Sequence, residues 1–330
     1  MRPFHYEQPT TAVRAVAAAD AASQFLAGGT TLIDLMKLDV MRPERVLDIS
    51  SLEENRYNFI DWRGDSLRIG ALTPMATIAD DKKLRRRVPV LTDSLWLAAS
   101  PQVRNMARVG GNVLQRTRCS YFRDTSYAEC NKRNPGSGCA ALNGGVTRGH
   151  AVLGASPNCI ATYAGDLGQA LIALDAVVEV LGKSGPRSMR FAELHRPPGT
   201  RPDIETSLQP DDLIVAFAIP DADFPRSKYL KIRDRQSYAF ALASAAVALR
   251  MKGDRIDDIR LALGGVATVP WRAREAEAAL RGGTLDGNAL RHAADLAFGG
   301  ARTTRGNAYK VELGKQTLIR AILETARMEI

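Results

Sequence analysis

Phe25-Leu26-Ala27-Gly28-Gly29-Thr30-Thr31-Leu32 sets two glycines and two threonines between a short apolar run and the start of an amphipathic one. Gln24 to Ala27 reads as a strand. Leu32, Ile33, Leu35, Met36 and Leu38 recur at helical spacing with Pro43 closing the helix, and Val46 to Ile49 reads as the next strand. Strand, glycine turn, helix, strand is an α/β unit. Its glycines permit positive φ and close backbone approach, and its first helical N–H groups and threonine hydroxyls can donate to an anion. A diphosphate suits those donors. The pattern is neither GxGxxG nor GxxxxGKS, so neither a Rossmann site nor a P-loop is expected.

Working outward, Ala12 to Ala22 has helical propensity, Tyr57 to Leu72 alternates like a hairpin, and Thr77 to Leu84 reads as a helix. Val90 to Met106 reads as one longer helix that runs into a second glycine turn, Val109-Gly110-Gly111-Asn112. A cofactor with a diphosphate bridge fits between two such turns. Beyond the aperiodic stretch Gln115 to Pro157, a helix is expected at Asp166 to Leu174, and strands at Ala176 to Leu181 and Leu213 to Ile219. Pro220 to Arg226 reads as a linker. After it, Lys228 to Arg233, Phe240 to Met251 and Ile259 to Gly264 read as a sheet, and Ala273 to Arg281, Ala289 to Phe298 and Gln316 to Ile330 as helices. The fold class is α+β, with a two-part domain over residues 1–222 (parts about 1–55 and 56–222) and an α+β domain over 223–330.

Composition narrows the function. The 330 residues carry 45 Lys plus Arg against 36 Asp plus Glu, a net charge of +9 spread along the chain. Only 6% are aromatic, too few for a row of base-stacking platforms, so nucleic-acid binding is not expected. No apolar run approaches the roughly 20 residues of a membrane span, and MRPFHYEQPT lacks the regions of a signal peptide. No GxSxG, HExxH or free Cys–His nucleophile pair is present, and no side chain is assigned as a catalytic acid, base or nucleophile.

All four cysteines, Cys119, Cys130, Cys139 and Cys159, fall within 41 residues. The cluster calls for disulfides, a metal site or a reactive thiol. A zinc site usually shows a CxxC pair, and disulfides do not need a loop this basic. Between Arg104 and Arg148 stand eight Lys or Arg residues against Asp124 and Glu129. Four thiolates around iron–sulfur are a net anion, which nearby cations and the Gly136 and Gly138 amides would stabilise. Iron–sulfur ranks first, zinc second and disulfides third. The stretch has few apolar residues, so its order is expected to depend on its metal.

The two glycine turns, Val103-Arg104-Asn105-Met106 before the second of them, and Ala164-Gly165-Asp166 ahead of Leu171-Ile172-Ala173-Leu174-Asp175-Ala176 together resemble the FAD-binding subunits of the molybdenum hydroxylases, the xanthine dehydrogenase and aldehyde oxidoreductase family. The resemblance covers nearly the whole chain. It implies a FAD-binding domain of the vanillyl-alcohol oxidase (PCMH) type followed by a domain of the CO dehydrogenase flavoprotein type. It implies FAD contacts at Leu26, Ala27, Gly28, Gly29, Thr30, Thr31, Leu32 and Ile33, at Arg108, Gly110, Gly111, Asn112 and Gln115, and at Asp166. Ile214 and Lys231 fall at positions near the isoalloxazine ring. Position 108 is commonly Ser or Thr in the family; Arg108 retains only the backbone role. Asp166 also reads as the N-cap of the helix that follows.

Typical members lack the cysteine stretch. Here Gln115-Arg116-Thr117-Arg118-Cys119-Ser120-Tyr121-Phe122-Arg123 and Cys130-Asn131-Lys132-Arg133 resemble an insert, about residues 115–160, carried by some aldehyde oxidoreductase flavin subunits. There four such cysteines bind a 4Fe-4S cluster. His150 then reads as a hydrogen-bonded loop residue, because four thiolates complete a cubane. The implied function is an electron-transfer subunit of a heterotrimer. A molybdenum-cofactor large subunit oxidises an aldehyde, a 2Fe-2S small subunit relays electrons, and FAD here delivers them to an external acceptor. A xanthine, purine or other N-heterocycle hydroxylase, a stand-alone FAD oxidase and a zinc-stabilised binding module are the competing readings. Location is expected to be cytoplasmic, or periplasmic by export in the folded state with a signal-bearing partner.

Overall fold

The computed structural model describes residues 1–52 and 56–329. The part boundary expected at residue 55 and the helix end expected at Ile330 lie outside the described residues. Strands β1 (His5–Glu7), β2 (Ser23–Leu26) and β3 (Arg45–Asp48) form a parallel sheet in the order β1-β3-β2, joined by helices α1 (Ala12–Ala18) and α2 (Leu32–Lys37). The Thr11 hydroxyl accepts from the Arg14 amide and starts α1. That helix stops well before Ala22, because Ala19 is extended and the Asp20 carboxylate accepts from the Ala22 amide in a tight turn. The second helix ends ahead of Pro43, at a left-handed Asp39 with φ 58°.

The second unit contains β4 (Ile60–Arg63), β5 (Ser66–Gly70), α3 (Met75–Asp80), α4 (Lys82–Arg87), α5 (Pro89–Trp96), α6 (Pro101–Met106), α7 (Val109–Val113), α8 (Ser120–Arg123), α9 (Leu167–Ala173), β6 (Val177–Gly182), β7 (Gly185–Arg190) and β8 (Leu213–Ile219). Its strands run antiparallel in the order β4-β5-β8-β6-β7. Two expected helices are each divided. Asp81 caps α4 through the Leu84 amide, and Ala99 at φ 50° with Ser100 capping at Pro101 separates α5 from α6. The second glycine turn is itself helical and forms α7.

The third unit is an antiparallel sheet, β12-β11-β10-β9, built from β9 (Ser227–Ile232), β10 (Ala243–Lys252), β11 (Arg255–Gly264) and β12 (Trp271–Arg272). Helices α10 (Arg274–Leu280), α11 (Gly287–Ala297) and α12 (Tyr309–Ala326) cover one face, and α12 begins at Tyr309, ahead of the expected Gln316. Strand periodicity divides the sheet's loyalties. Ala245, Val247 and Leu249 of β10 join the core under these helices, whereas Ala246 and Ala248 join the core of the second unit. Alanine there lets helices approach closely on the second face.

Pro220 to Arg226 is packed rather than a loose linker. Ala222 and Phe224 are fully buried, the guanidinium carbons of Arg250 and Arg260 lie 3.8 and 4.4 Å from the Phe224 ring centroid, and both arginines pair with Asp221. No helix among the described residues is long and apolar enough to cross a membrane. Truncating Phe224 to alanine should cost about 3–5 kcal/mol, read as a lower urea midpoint. A loss within about 0.5 kcal/mol, typical of a surface site, would mark the segment as a tether.

Candidate functional site

The first glycine turn is shaped by its packing. A Cβ on Gly28 would sit 2.0 Å from the Met106 carbonyl oxygen at the end of α6, and Gly29 is left-handed at φ 72°. Thr31 stands at the N-cap of α2 without capping it. Among the described residues, the amides of Gly28 to Leu32 donate to no group in the chain. This is a row of open donors. In α7 the amides are divided. Val109 donates to Thr73 O at 3.1 Å and Gly110 to Ala71 O at 2.8 Å, so both are taken. The Gly111 amide is unpaired among the described residues, and a Cβ on Gly111 would meet nothing within 4 Å. Asn112 Oδ1 is buried without a partner. The second turn therefore offers Gly111 and Asn112 to a ligand, and the Gly110 amide is structural.

A cavity of ≈ 740 Å³ opens between the turns and the third unit. Thr30, Thr31, Asn112, Gln115, Asp166 and Lys231 line it together with Met75, Ala98, Tyr238 and Phe240. Asp166 stands at the N-cap position of α9, but its side chain does not cap. It accepts instead from Lys231 Nζ at 2.7 Å and Tyr229 Oη at 2.8 Å. Lys231 also donates to Leu97 O at 3.0 Å. Burial and the Asp166 charge hold the Tyr229 phenol protonated far above its ordinary range.

A second cavity of ≈ 310 Å³ shares Gln115 with the first and is bounded by Gln24, Leu114, His195 and Leu208. Cys159 and Lys132 form its far wall. Both volumes lie in the roughly 300–1,000 Å³ range of small-molecule sites. Two cavities that share Gln115 as a lining residue, beside open amides, offer room for an elongated molecule with a ring system at each end. Burial lowers the His195 pKa to about 4, so the ring is neutral; its Nε2 lies 3.1 Å from Val113 O, and Nδ1 has no partner. Ile214 is not brought to either cavity lining: it lies on β8 inside the main core.

The four cysteines are free thiols and line one further cavity, with Asn131, Lys132 and His150. Cys130 and Cys139 face each other across an isolated antiparallel bridge, and Cys159 closes a turn with Ser156. Asn131 ties these together. Its amide group donates to Asn158 O at 3.0 Å and its Oδ1 accepts from the Gly138 amide at 2.9 Å, which leaves that amide engaged. Arg133 donates at 2.8 Å to both Tyr121 O and Phe122 O. The stretch also buries more than its composition implies: Phe122 packs with Leu35 and Cys130, and Tyr121 with Ala141 and Ile160. Burial pushes the Cys119 thiol up to about 12, and His150 Nε2 lies 3.3 Å from its sulfur. Among the described residues no three Cys, His, Asp or Glu side chains converge on a single-ion position. Four thiols are the donor set of an iron–sulfur cluster and also of a four-cysteine zinc site.

Comparison with known proteins agrees with this geometry. Residues 2–222 match the FAD binding domain in molybdopterin dehydrogenase, and residues 228–325 the CO dehydrogenase flavoprotein C-terminal domain. The chain belongs to the FAD-binding subunits of the molybdenum hydroxylase family. It is 43% identical to the aldehyde oxidoreductase FAD-binding subunit PaoB of Escherichia coli, over 98% of each chain. It is 29% identical, over 76% of its own length and 71% of the relative's, to the glyceraldehyde dehydrogenase medium chain of Sulfolobus acidocaldarius. A solved carbon monoxide dehydrogenase from Hydrogenophaga pseudoflava superposes with a TM-score of 0.75 at 27% identity, covering 99% of both chains.

Asp34, Arg118, Arg123, Tyr238 and Phe240 were not singled out for the larger cavity. Arg118 and Arg123 flank Cys119 in the quoted run, but only folding brings them to Asp34 on α2, and no local signal places the β9–β10 loop there. Replacing Gly111 by valine should leave the unfolding temperature of flavin-free protein within about 2 °C, because the site is open, yet yield protein deficient in FAD. Gly28→Ala should lower stability as well. Full FAD occupancy in Gly111→Val, measured from the extracted flavin, would contradict the placement.

Proposed function

We propose that this chain is the FAD and 4Fe-4S electron-transfer subunit of a molybdenum-containing aldehyde oxidoreductase. It would assemble with a molybdenum-cofactor large subunit and a 2Fe-2S small subunit. The observation that carries the reading is the sharing of walls: Cys159 and Lys132 border both the thiol cavity and the smaller cavity, which shares Gln115 with the larger one. An iron–sulfur group and a flavin nucleotide would thus be neighbours. The aldehyde assignment is supported by the 43% identity to a subunit named for aldehyde oxidation, above the 26% to the xanthine dehydrogenase subunit of Escherichia coli O157:H7.

Bound FAD supplies the redox chemistry, collecting electrons singly and releasing them to an external acceptor. The protein's part is binding and orientation. Residues 1–222 supply the amides of Gly28 to Leu32 and Gly111 for the diphosphate, with Asn112 and Gln115 beside them. Residues 223–330 supply Lys231, fixed by Asp166 and Leu97 O so that it cannot swing. The ring system lies in the larger cavity and the adenosine half in the smaller. Cys119, Cys130, Cys139 and Cys159 hold the cluster, with Lys132 as a nearby cation lowering the cost of the Cys159 thiolate.

Serine at any one of the four cysteine positions should remove about four irons per chain, as expected for one cubane, while the C-terminal unit remains folded. Iron and zinc analysis of wild type and variants, with EPR after reduction, reads the outcome. One zinc per chain, or disulfides by mass spectrometry, would overturn the cluster and leave the FAD site standing.

A further inference from the structure

We propose that Arg118, brought into the flavin cavity by the cysteine insert, is the cation that sets the electron affinity of the flavin. The inference rests on the ring of FAD occupying the larger cavity. Two guanidinium groups share one carboxylate there. Arg123 binds Asp34 in a two-pronged pair at 2.8 and 3.0 Å, whereas Arg118 reaches the same carboxylate by a single contact at 3.2 Å. One carboxylate against two guanidinium groups leaves one positive charge without a carboxylate of its own.

That charge belongs to Arg118. Its Nε is buried with no partner among the described residues. The Asp34 carboxyl is correspondingly held below its ordinary range by Arg123, opposed by burial, with Arg118 adding to the lowering. Of the other charged residues lining the cavity, Arg235 has no carboxylate partner among the described residues and donates to Tyr238 O, while the rest are paired. Lys231 pairs with Asp166, and Asp234 is drawn outward by Arg148, itself part of the insert.

The Arg118 guanidinium carbon lies 4.9 Å from the Phe240 ring centroid, and both residues line the larger cavity. A diphosphate already has donors at Gly28 to Leu32 and Gly111. What the cavity gains from Arg118 is a fixed, poorly solvated cation beside a ring that becomes negative on reduction: oxidised flavin plus two electrons and one proton gives a reduced ring bearing one negative charge. The electrons come from a reduced iron–sulfur donor in the complex, or from a reductant with mediators in the titration below. A positive charge held in low dielectric favours the charged product and raises the potential. Cys119 is the adjacent residue, so the same backbone segment serves the thiol cavity and the flavin cavity.

The test is a spectroelectrochemical titration of the flavin in the full-length protein purified with its accompanying subunits, with FAD and iron content measured for every sample. Arg118→Gln should shift the two-electron equilibrium at least tenfold against reduction, which lowers the midpoint by about 30 mV. Arg118→Lys should recover most of it. Asp34→Asn, which leaves both guanidinium groups unopposed, should move the potential the opposite way. A merely structural role for the triad would move both variants in one direction, and that result, or an unchanged Arg118→Gln potential, overturns the proposal. So does loss of FAD affinity with an unaltered potential, which would mark a phosphate contact. If Arg118→Gln does not fold, the sign of the Asp34→Asn shift decides. Wild-type protein without FAD would instead overturn the reading of the cavity itself.

Discussion

The buried pair between Asp166 and Lys231 is the interaction on which the arrangement of this molecule turns. Its side chains are 5% and 1% exposed, so both charges are stripped of water and neither would tolerate loss of the other. Such a pair persists only where further hydrogen bonds complete it. Lys231 also donates to Leu97 O beyond α5, and the Tyr229 hydroxyl donates to Asp166 while taking a hydrogen bond from Ser244 Oγ at 2.8 Å. Four elements are thereby pinned to one point: the start of α9, the segment after α5, β9 and β10. The same two residues line the larger cavity, so the geometry that holds the third unit against the second also fixes the lysine in that lining.

The cysteine insert is attached to this frame on two sides. On one, Asp34 of α2 receives Arg118 and Arg123. On the other, the fully buried Lys310 of α12 donates to Gly149 O at 3.1 Å, His150 O at 3.3 Å and Gly265 O at 2.6 Å, and burial lowers its pKa to about 8. Asn307 adds a donor to Ala151 O at 3.0 Å. Backbone carbonyls of an irregular stretch must find partners when buried, and here two side chains of the third unit supply them. The insert is therefore a brace across the molecule as well as a thiol-lined pocket, which is why Arg118 and Arg123 reach the larger cavity at all.

How much of this could be read from the chain follows from the range of each interaction. The Gly28-Gly29 turn, its flanking strand and helix, and the crowding of Cys119, Cys130, Cys139 and Cys159 are local patterns, and they stand in the structure where the sequence puts them. Asp166 is recognisable at a helix start, but its partners lie more than 60 residues away, so capping is the local reading and an ion pair the tertiary one. Val109 to Asn112 reads as a turn because glycines are poor helix formers; docking on Thr73 and Ala71 overrides that preference. Pro220 to Arg226 has the composition of a linker, and only Arg250 and Arg260 closing over Phe224 make it core. Ile214 is a strand residue whose alternation gives one face and cannot say that its side chain joins the main core outside both cavity linings.

A single cofactor spanning all three units would have its diphosphate at the glycine turns and its ring against the Asp166–Lys231 junction. Amide hydrogen exchange compared between FAD-loaded and FAD-stripped protein tests this placement most directly. Loading should slow exchange together at Gly28 to Leu32, at Gly111, and in the Arg233 to Phe240 loop of the third unit, with little change in α10 and α11. Protection confined to the two glycine turns, leaving β9 and its following loop unaffected, would contradict it.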